Sequence, residues 1–358
     1  MPRAIFFSII ALSACAPVSA RPPVTPIRQC TKALVACQRW VTLGGGPGRS
    51  MVYSNYALDG SNPAITRALV MVHGAGRNAD HYFETAMAAG FLAEALGNTI
   101  IIAPRFPTGE DKIAPNELLW PARGDTWRSG GMSPPMGTVS AFDFMDQILR
   151  KLADRRTFPN LTRIVVAGHS AGGQFANRYG MSNKVDGTLR DVSISYVVAN
   201  PSSYAWPTAL RPLPSGDADS ATAAKAPLGP DGEKVHTQYT FAAFDSTKAP
   251  TFNNWPAGLR NRTGYTAQMS DDQLRKQLVE RRTTYLLGQV DVLPLGGFDS
   301  SPNAMAQGPT RRARGEAFLK YVNETLGARH TAMIVSECGH NDRCIFTTNA
   351  VFPVIFPR

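Results

Sequence analysis

The sequence of 358 residues is poor in charged residues, cysteines and long hydrophobic runs, and it contains no internal repeat. Charged residues make up 18% and hydrophobic residues 43% of the chain, a composition typical of a folded soluble protein, which argues against bulk disorder. Acidic residues are fewer than basic ones: the chain has 27 Asp and Glu and 37 Lys and Arg, which gives a net charge of +10.

The basic residues are scattered, and the densest groups are Arg155 and Arg156, Arg281 and Arg282, and the trio Arg311, Arg312 and Arg314. No segment interleaves basic and aromatic residues in the way a nucleic-acid groove does, so we expect no nucleic-acid partner. We interpret the basic excess as a source of solubility with a mild preference for anionic surfaces.

The five cysteines, which are Cys15, Cys30, Cys37, Cys338 and Cys344, lack C-x-x-C spacing, and this disfavours a zinc site. Four of them follow the N-terminal leader described below, an even number that suits disulfides in an oxidising compartment. Three pairings of these four are possible, and Cys30 with Cys37 and Cys338 with Cys344 would close the shortest loops.

The N-terminus is typical of a secretory signal that is too short to span a membrane, because Arg3 precedes the apolar residues 4–12 and then small residues. Ordinary cleavage after Ala20 would leave a signal peptide of residues 1–20. The tetrapeptide LSAC resembles the bacterial lipobox, in which the signal would end before Cys15 and that cysteine would be lipidated. We therefore expect an exported protein that is periplasmic, secreted or attached to the membrane through Cys15.

Residues 21–48 contain RPPVTP and GGGPG, which predict a tether, and the main domain is predicted over residues 49–358. In this domain short apolar runs typical of buried strands alternate with helical segments, one of them predicted over residues 79–97. This order predicts an α/β fold with a mostly parallel central sheet and helices on both faces. The pattern pauses over residues 202–270, which predict an irregular cap insertion.

The segment GHSAGG follows a predicted buried strand and opens a predicted helix. This is the context of the G-x-S-x-G nucleophile elbow, a corner so tight that only small residues fit around its serine. The corner exposes the hydroxyl of Ser170 above the sheet, where it can attack a substrate. The alternative is a glycine-rich turn that packs a helix on the sheet.

A nucleophilic serine requires a histidine to take its proton, and in this arrangement the histidine follows the acid in the chain. Downstream of Ser170 the candidates are His236, His330 and His340. His236 lies in the insertion and His330 precedes a strand, whereas His340 follows the strand AMIV, at the strand end where active sites form. We therefore predict His340 as the base.

The acid that orients His340 is expected after the preceding strand, where TTYLLGQVD places Asp291. Asp245 and Asp299 are the rivals, but Asp245 lies in the insertion and Asp299 farther along the loop. Asp342 lies two residues after His340 and would reach it only through a local turn.

Two backbone N–H groups are expected to stabilise an oxyanion. Ala171 follows the serine at the start of the helix, and Ala75 lies in the early loop HGAG, whose glycines allow close approach. His73 in that loop precedes the serine, out of order for a triad, and we expect it to be structural.

The motifs HGAG, GHSAGG, LLGQVD and CGH occur in order, each at the end of a predicted strand. Together they resemble the α/β-hydrolase superfamily from about residue 50 to the C-terminus. The resemblance implies serine hydrolase chemistry without a cofactor or metal, with Ser170, Asp291 and His340 as the triad and Ala75 and Ala171 as the oxyanion hole.

Export and cysteine content make the chain similar to secreted esterases and polyester depolymerases, which implies a small-molecule or polymeric ester as substrate. A serine peptidase on the same fold and a non-catalytic binding protein are the alternatives. In the predicted cap, Tyr204, Trp206 and Trp255 either line an apolar pocket or belong to the core.

Overall fold

The structure is a computed structural model that describes Met1 and residues 29–214 and 239–358. The predicted signal segment from residue 2, with Cys15, lies outside the described residues, as do His236 and part of the predicted cap. No helix in the described ranges is long and apolar enough to cross a lipid bilayer.

Within these ranges ten strands are formed: β1 Gln38–Thr42, β2 Arg49–Ser54, β3 Arg67–Val72, β4 Thr99–Pro104, β5 Arg163–His169, β6 Ser193–Ala199, β7 Leu210–Pro214, β8 Tyr239–Ala243, β9 Thr283–Gly288 and β10 Thr331–Val335. Eight of them form one sheet in the order β1-β2-β4-β3-β5-β6-β9-β10. All pairings from β4 to β10 are parallel, whereas β2 runs antiparallel to both of its neighbours. The predicted mostly parallel sheet is confirmed.

The described helices are α1 Ala79–Leu92, α2 Ala141–Leu152, α3 Ala171–Ser182, α4 Asp271–Glu280, α5 Pro302–Met305, α6 Arg311–Lys320, α7 Asp342–Phe346 and α8 Phe352–Ile355. Successive strand residues point to opposite faces, so the sheet has an apolar core on each side. Helices α2, α3, α4 and α6 pack on one face, and α1, α7 and α8 on the other. The predicted cover of both faces is confirmed.

The predicted tether over residues 21–48 is wrong for its second half. Strand β1 pairs antiparallel with β2 from Gln38 to Thr42, and Val41 is fully buried. The sheet therefore begins before residue 49, because apolar side chains in QRWVT are buried at its edge.

The predicted helix over residues 79–97 ends earlier, at Leu92, because Glu94 adopts a left-handed φ of 53° that interrupts the helix. Its first residue is Ala79, as predicted, and its N-cap is Asn78.

The described part of the predicted cap contains the antiparallel pair β7–β8, so this region is more regular than expected. Tyr204 and Trp206 are fully buried and pack on Phe318 of α6. Trp255 is 9% exposed and its indole N–H donates to the Ser129 carbonyl. The core alternative for these aromatics is therefore the correct one.

Candidate active site

Ser170 lies in a strained corner between β5 and α3. Its backbone has φ 58° and ψ −118°, a conformation that residues with a side chain rarely adopt. A Cβ on Gly168 would lie 2.2 Å from the Gly172 carbonyl oxygen, and a Cβ on Gly172 would lie 2.2 Å from the Val72 carbonyl oxygen. The glycines of the motif are thus required by the close approach of β5, α3 and β3.

Three polar side chains meet above this corner. His340 Nε2 lies 2.9 Å from Ser170 Oγ, and His340 Nδ1 lies 2.8 Å from Asp291 Oδ2. The three residues follow β5, β9 and β10, so each comes from the carboxyl end of a parallel strand. The chain of two hydrogen bonds is the arrangement in which an imidazole can deprotonate a serine.

The other candidate histidine in the described ranges is engaged elsewhere. His330 is 5% exposed, and its ring nitrogens contact the Tyr285 hydroxyl and the Leu278 carbonyl. His340 is therefore the histidine that the fold brings to the serine.

The alternative acids are also engaged elsewhere. Asp342 contacts His81 Nε2 at 2.9 Å, Asp245 accepts from Thr247, and Asp299 accepts from the Ser301 N–H. Asp291 alone of these four contacts His340 through its carboxylate.

A buried arginine holds the second oxygen of Asp291. Arg311, at the start of α6, is 1% exposed and its Nη1 lies 3.2 Å from Asp291 Oδ1. Its Nε donates to Ser202 Oγ at 2.9 Å, and its Nη2 donates to the Gly296 carbonyl at 2.9 Å. Burial lowers the pKa of Arg311, and the adjacent Asp291 opposes this. The guanidinium thereby fixes both the carboxylate and the loop that follows it.

The interpretation of Arg311, Arg312 and Arg314 as part of a solubilising basic excess is wrong, because all three are at most 2% exposed. Arg312 donates to the Gln289 carbonyl, and Arg314 to the carbonyls of Ser202, Asp299 and Gly308. These arginines brace the loop between β9 and α6. The signal in the sequence is three arginines within four residues, in the segment that follows the loop of Asp291.

Comparison with known proteins identifies the family of this chain. Residues 69–350 match the family model described as "Alpha/beta hydrolase family". The chain belongs to the alpha/beta hydrolase family. No curated protein matches it by sequence.

Two solved structures share the fold of this alpha/beta hydrolase. One is a poly(3-hydroxybutyrate) depolymerase from Bordetella parapertussis, with 19% identity, a TM-score of 0.55 and coverage of 86% of this chain and 84% of that one. The other is poly(aspartic acid) hydrolase-1 from Sphingomonas sp. KT-1, with 22% identity, a TM-score of 0.56 and coverage of 86% and 94%. At these identities the likeness shows the fold alone.

In this alpha/beta hydrolase, His340 is enclosed by a neutral histidine and a glycine. The rings of His169 and His340 have centroids 4.6 Å apart, and burial followed by the proximity of His340 holds the pKa of His169 well below its usual value. On the other side, a Cβ on Gly296 would lie 3.0 Å from His340 Cδ2. The imidazole of His340 is thus closely packed, and His169 adds no positive charge beside it.

The loops that carry Asp291 and His340 are joined through the end of β6, the strand that separates β5 from β9. Asn200 Oδ1 accepts from the Gly288 N–H at 2.7 Å, and its Nδ2 donates to the Gly339 carbonyl at 3.2 Å. Asn200 is fully buried, and its bond to Gly288 is shielded from water, whereas its bond to Gly339 is only partly buried. No motif in the sequence singles out Asn200.

The predicted oxyanion donors lie on opposite sides of the corner. Ala171 is the first residue of α3, and Ala75 follows Gly74, where a Cβ would lie 3.8 Å from Ser170 Cβ. Neither Ala75 nor Ala171 donates its N–H to an acceptor among the described residues. His73 accepts from the Phe106 N–H, and burial lowers its pKa to about 4, so it is a neutral structural residue.

The structure settles the cysteine pairing left open by the sequence. Cys30 is bonded to Cys37 and Cys338 to Cys344. The second bond flanks His340, and the Cys338 carbonyl accepts from the Val290 N–H at 3.0 Å, next to Asp291. No group of three His, Cys, Asp or Glu side chains in the described ranges is arranged to hold a metal ion.

Replacing Cys338 and Cys344 by serine should lower kcat roughly tenfold at temperatures where the protein stays folded, because small displacements of an imidazole slow proton transfer. The loss of global stability should be only about 2 kcal/mol, since the closed loop is short. The matched control replaces Cys30 and Cys37, whose loop does not contact the triad. Equal kcat values for the two double variants would show that the second disulfide does not position His340.

Proposed function

We propose that this alpha/beta hydrolase is an exported serine hydrolase that cleaves carboxylic ester bonds through an acyl-enzyme. The observation that carries the proposal is the hydrogen-bonded chain from Ser170 through His340 to Asp291. A nucleophile, a base and an orienting acid in this order are the parts that acyl transfer requires.

In the proposed reaction Ser170 Oγ attacks the ester carbonyl carbon while His340 Nε2 takes its proton. Asp291 holds the other imidazole nitrogen and stabilises the positive charge that forms on the ring. His340 then returns the proton to the alcohol as it leaves. In the second half, His340 removes a proton from water as the water oxygen attacks the acyl carbon. The bond from that carbon to Ser170 Oγ then breaks, His340 returns the proton to Oγ, and the carboxylic acid leaves.

The unpaired N–H groups of Ala75 and Ala171 are the proposed oxyanion hole. Each donor aimed at the oxyanion lowers the barrier by about 3 kcal/mol in enzymes of this kind. Ala171 also lies at the N-terminus of a twelve-residue helix, whose dipole favours negative charge at that position.

The proposed substrates are small-molecule or polymeric esters. The hydrolases of similar fold named above include one that acts on poly(3-hydroxybutyrate), a polyester. The proposed ester hydrolysis uses only side chains and backbone groups of this chain, so we propose no cofactor. We propose no nucleic-acid partner either.

The two disulfides are typical of an oxidising environment outside the cytoplasm. We expect the mature N-terminus to be either an unmodified Arg21 or a lipidated Cys15 that anchors the protein to a membrane. Mass spectrometry of the protein isolated from its host distinguishes the two. An intact N-terminus beginning at Met1 would contradict export by either route.

Arg311→Met should lower kcat roughly tenfold to a hundredfold, because Asp291 would lose the partner that holds it in line with His340. Arg312→Met is the matched control, since it removes an equally buried arginine of α6 whose side chain contacts the Gln289 carbonyl and Glu316 rather than Asp291. Both variants should lose stability, but only Arg311→Met should lose kcat per folded molecule, and Arg311→Lys should restore part of it. The same loss of kcat in both variants would assign Arg311 a purely structural role.

The proposed function is tested with a fluorophosphonate probe and a substrate panel. The probe should label the protein on Ser170, and esters should be hydrolysed much faster than peptides of matched acyl group. Absence of labelling would overturn the proposal and favour a non-catalytic binding protein, and preference for peptides would make the protein a peptidase.

A further inference from the structure

Two arginines that form no salt bridge in the described ranges line a cleft along α3, the helix that begins directly after Ser170. The cleft has a volume of about 170 Å³ and lies between the loop after β4, helix α3 and residues 256–257 and 299–304. Arg128 and Arg178 supply its positive charge. In the part of the chain that the structure describes, neither guanidinium forms a salt bridge, and their hydrogen-bond partners are uncharged.

One wall of the cleft continues directly from the nucleophile. Ser170, Gln174 and Arg178 are spaced by four residues, so they lie along one face of α3. The Gln174 N–H donates to the Ser170 carbonyl at 3.0 Å, which places Gln174 one helical turn from the nucleophile.

The other walls also adjoin the active site. Asp299, which lines the cleft, comes three residues after Gly296, the glycine that lies against His340. Arg128 follows Trp127, whose ring packs on His73 of the proposed oxyanion loop with centroids 4.8 Å apart. Because Gln174 lines the cleft and lies one helical turn, about 5.4 Å, from Ser170, one substrate can reach both the cleft and the nucleophile.

Arg178 is 2% exposed, so nearly all of its charge is withdrawn from water. Its Nε donates to the Pro256 carbonyl at 3.2 Å and its Nη2 to Ser203 Oγ at 3.2 Å. Burial, with Arg128 as the next cause, lowers the pKa of Arg178 to about 9, and the nearby Asp299 and Asp125 oppose this. No carboxylate in the described ranges forms a salt bridge with this buried cation, which suits a group that an anionic ligand neutralises.

Further donors face the same space. Ser203 Oγ accepts from Gln174 Nε2 at 2.7 Å as well as from Arg178, and its own hydrogen has no acceptor within the described ranges. Arg128 donates to Thr126 Oγ1 and Gln174 Oε1 with two of its five N–H groups. In the described ranges, three N–H groups of Arg128 and the hydroxyl hydrogen of Ser203 thus have no acceptor.

Two carboxylates lie near the arginines but do not pair with them. Asp299 lines the cleft and accepts from the Ser301 N–H at 3.0 Å. Asp125 accepts from the Thr263 hydroxyl, and burial raises its pKa, which disfavours its charged form. Asp299 acts on both arginines through its charge but pairs with neither, so two guanidinium groups face one lining carboxylate and a net positive charge remains at the cleft.

We propose that this cleft is an anion-binding subsite, and that the preferred ester substrates carry a carboxylate a few atoms from the scissile carbonyl. The inference rests on the proposed function and specifies its substrate class. A planar guanidinium binds a carboxylate through paired charge-assisted hydrogen bonds. The small volume of the cleft limits the size of the substrate segment that bears the carboxylate.

Paired substrates test this subsite. The 4-nitrophenyl monoesters of succinate and glutarate are compared with the butyrate and pentanoate esters of equal acyl length, and 4-acetoxybenzoate with phenyl acetate. The first pairs place the carboxylate on the acyl side and the last on the alcohol side. At least one carboxylate ester should exceed its neutral partner in kcat/KM by roughly tenfold, the effect expected of a charged hydrogen bond.

Arg128→Gln and Arg178→Gln should each reduce this ratio roughly tenfold. Arg123→Gln is the control, because it removes an exposed arginine of the same loop and should leave the ratio unchanged. Glutarate, but not glutaramide, should raise the Tm of the wild-type protein, and the Arg128→Gln protein should lose this shift. If Arg178→Gln does not fold, Arg128→Gln decides the question.

Ratios near one for every pair, with no glutarate-dependent shift, would overturn the subsite while neutral esters are still hydrolysed. A failure of the proposed function is distinguishable, because then no ester is hydrolysed and no probe labels Ser170, whereas the Tm shift still reports on the cleft.

Discussion

Ser170→Ala should abolish ester hydrolysis, with kcat reduced at least a thousandfold, because loss of a triad nucleophile removes the acyl-enzyme route. The fold should persist, since Ser170 donates no side-chain hydrogen bond that holds α3 or β5 together. The measurement is turnover of a neutral 4-nitrophenyl ester by protein whose near-ultraviolet circular dichroism matches the wild type.

Two further variants sharpen this result. Ser170→Gly should be equally inactive yet at least as stable as Ser170→Ala, since glycine adopts φ 58° and ψ −118° without strain. Ser193→Ala is the control, because its hydroxyl contacts only the Thr162 carbonyl at the start of β6. Turnover by Ser170→Ala within about tenfold of the wild type would refute the nucleophile assignment.

Asp291→Asn should reduce kcat roughly a thousandfold or more, because an amide no longer stabilises the imidazolium and holds the ring in the wrong tautomer. The same change removes the ionic partner of Arg311, so the free energy of unfolding should also fall. Activity must therefore be expressed per folded molecule, at a temperature well below the lowered Tm.

Asp245→Asn is the matched control, since Asp245 is exposed and contacts only its own turn. It should change kcat less than twofold, as surface substitutions away from special features usually do. If Asp299→Asn removes activity and Asp291→Asn does not, the wrong acid has been chosen.

Much of the site was readable from the sequence because its parts follow strand ends. Each of Ser170, Asp291 and His340 comes just after a short apolar run, and a parallel sheet brings such positions to one edge. Local signals therefore sufficed to select three side chains that the structure joins by two hydrogen bonds. Their catalytic roles stay predictions.

What surrounds the three residues was not readable, because it depends on pairings between distant segments. Arg311 is part of a charged run that resembles a solvent-exposed helix start, and only the tertiary fold places it against Asp291. Asn200 likewise acts through segments far along the chain, with its partner glycines 88 and 139 residues away. The prolines and glycines around residues 38–42 predict a tether. In the fold, however, this segment is a strand at the edge of the sheet, because it pairs with β2 there.

The placement of β6 between the strand of the nucleophile and the strands of the acid and base has a consequence for refolding. The Ser170–His340 contact spans 170 residues of sequence, and non-local contacts of this kind form late and slowly. Helices, by contrast, form from local contacts within microseconds. Regain of turnover after dilution from denaturant should therefore lag behind regain of the far-ultraviolet helical signal, and the delay measures how long β5, β6, β9 and β10 take to assemble in register.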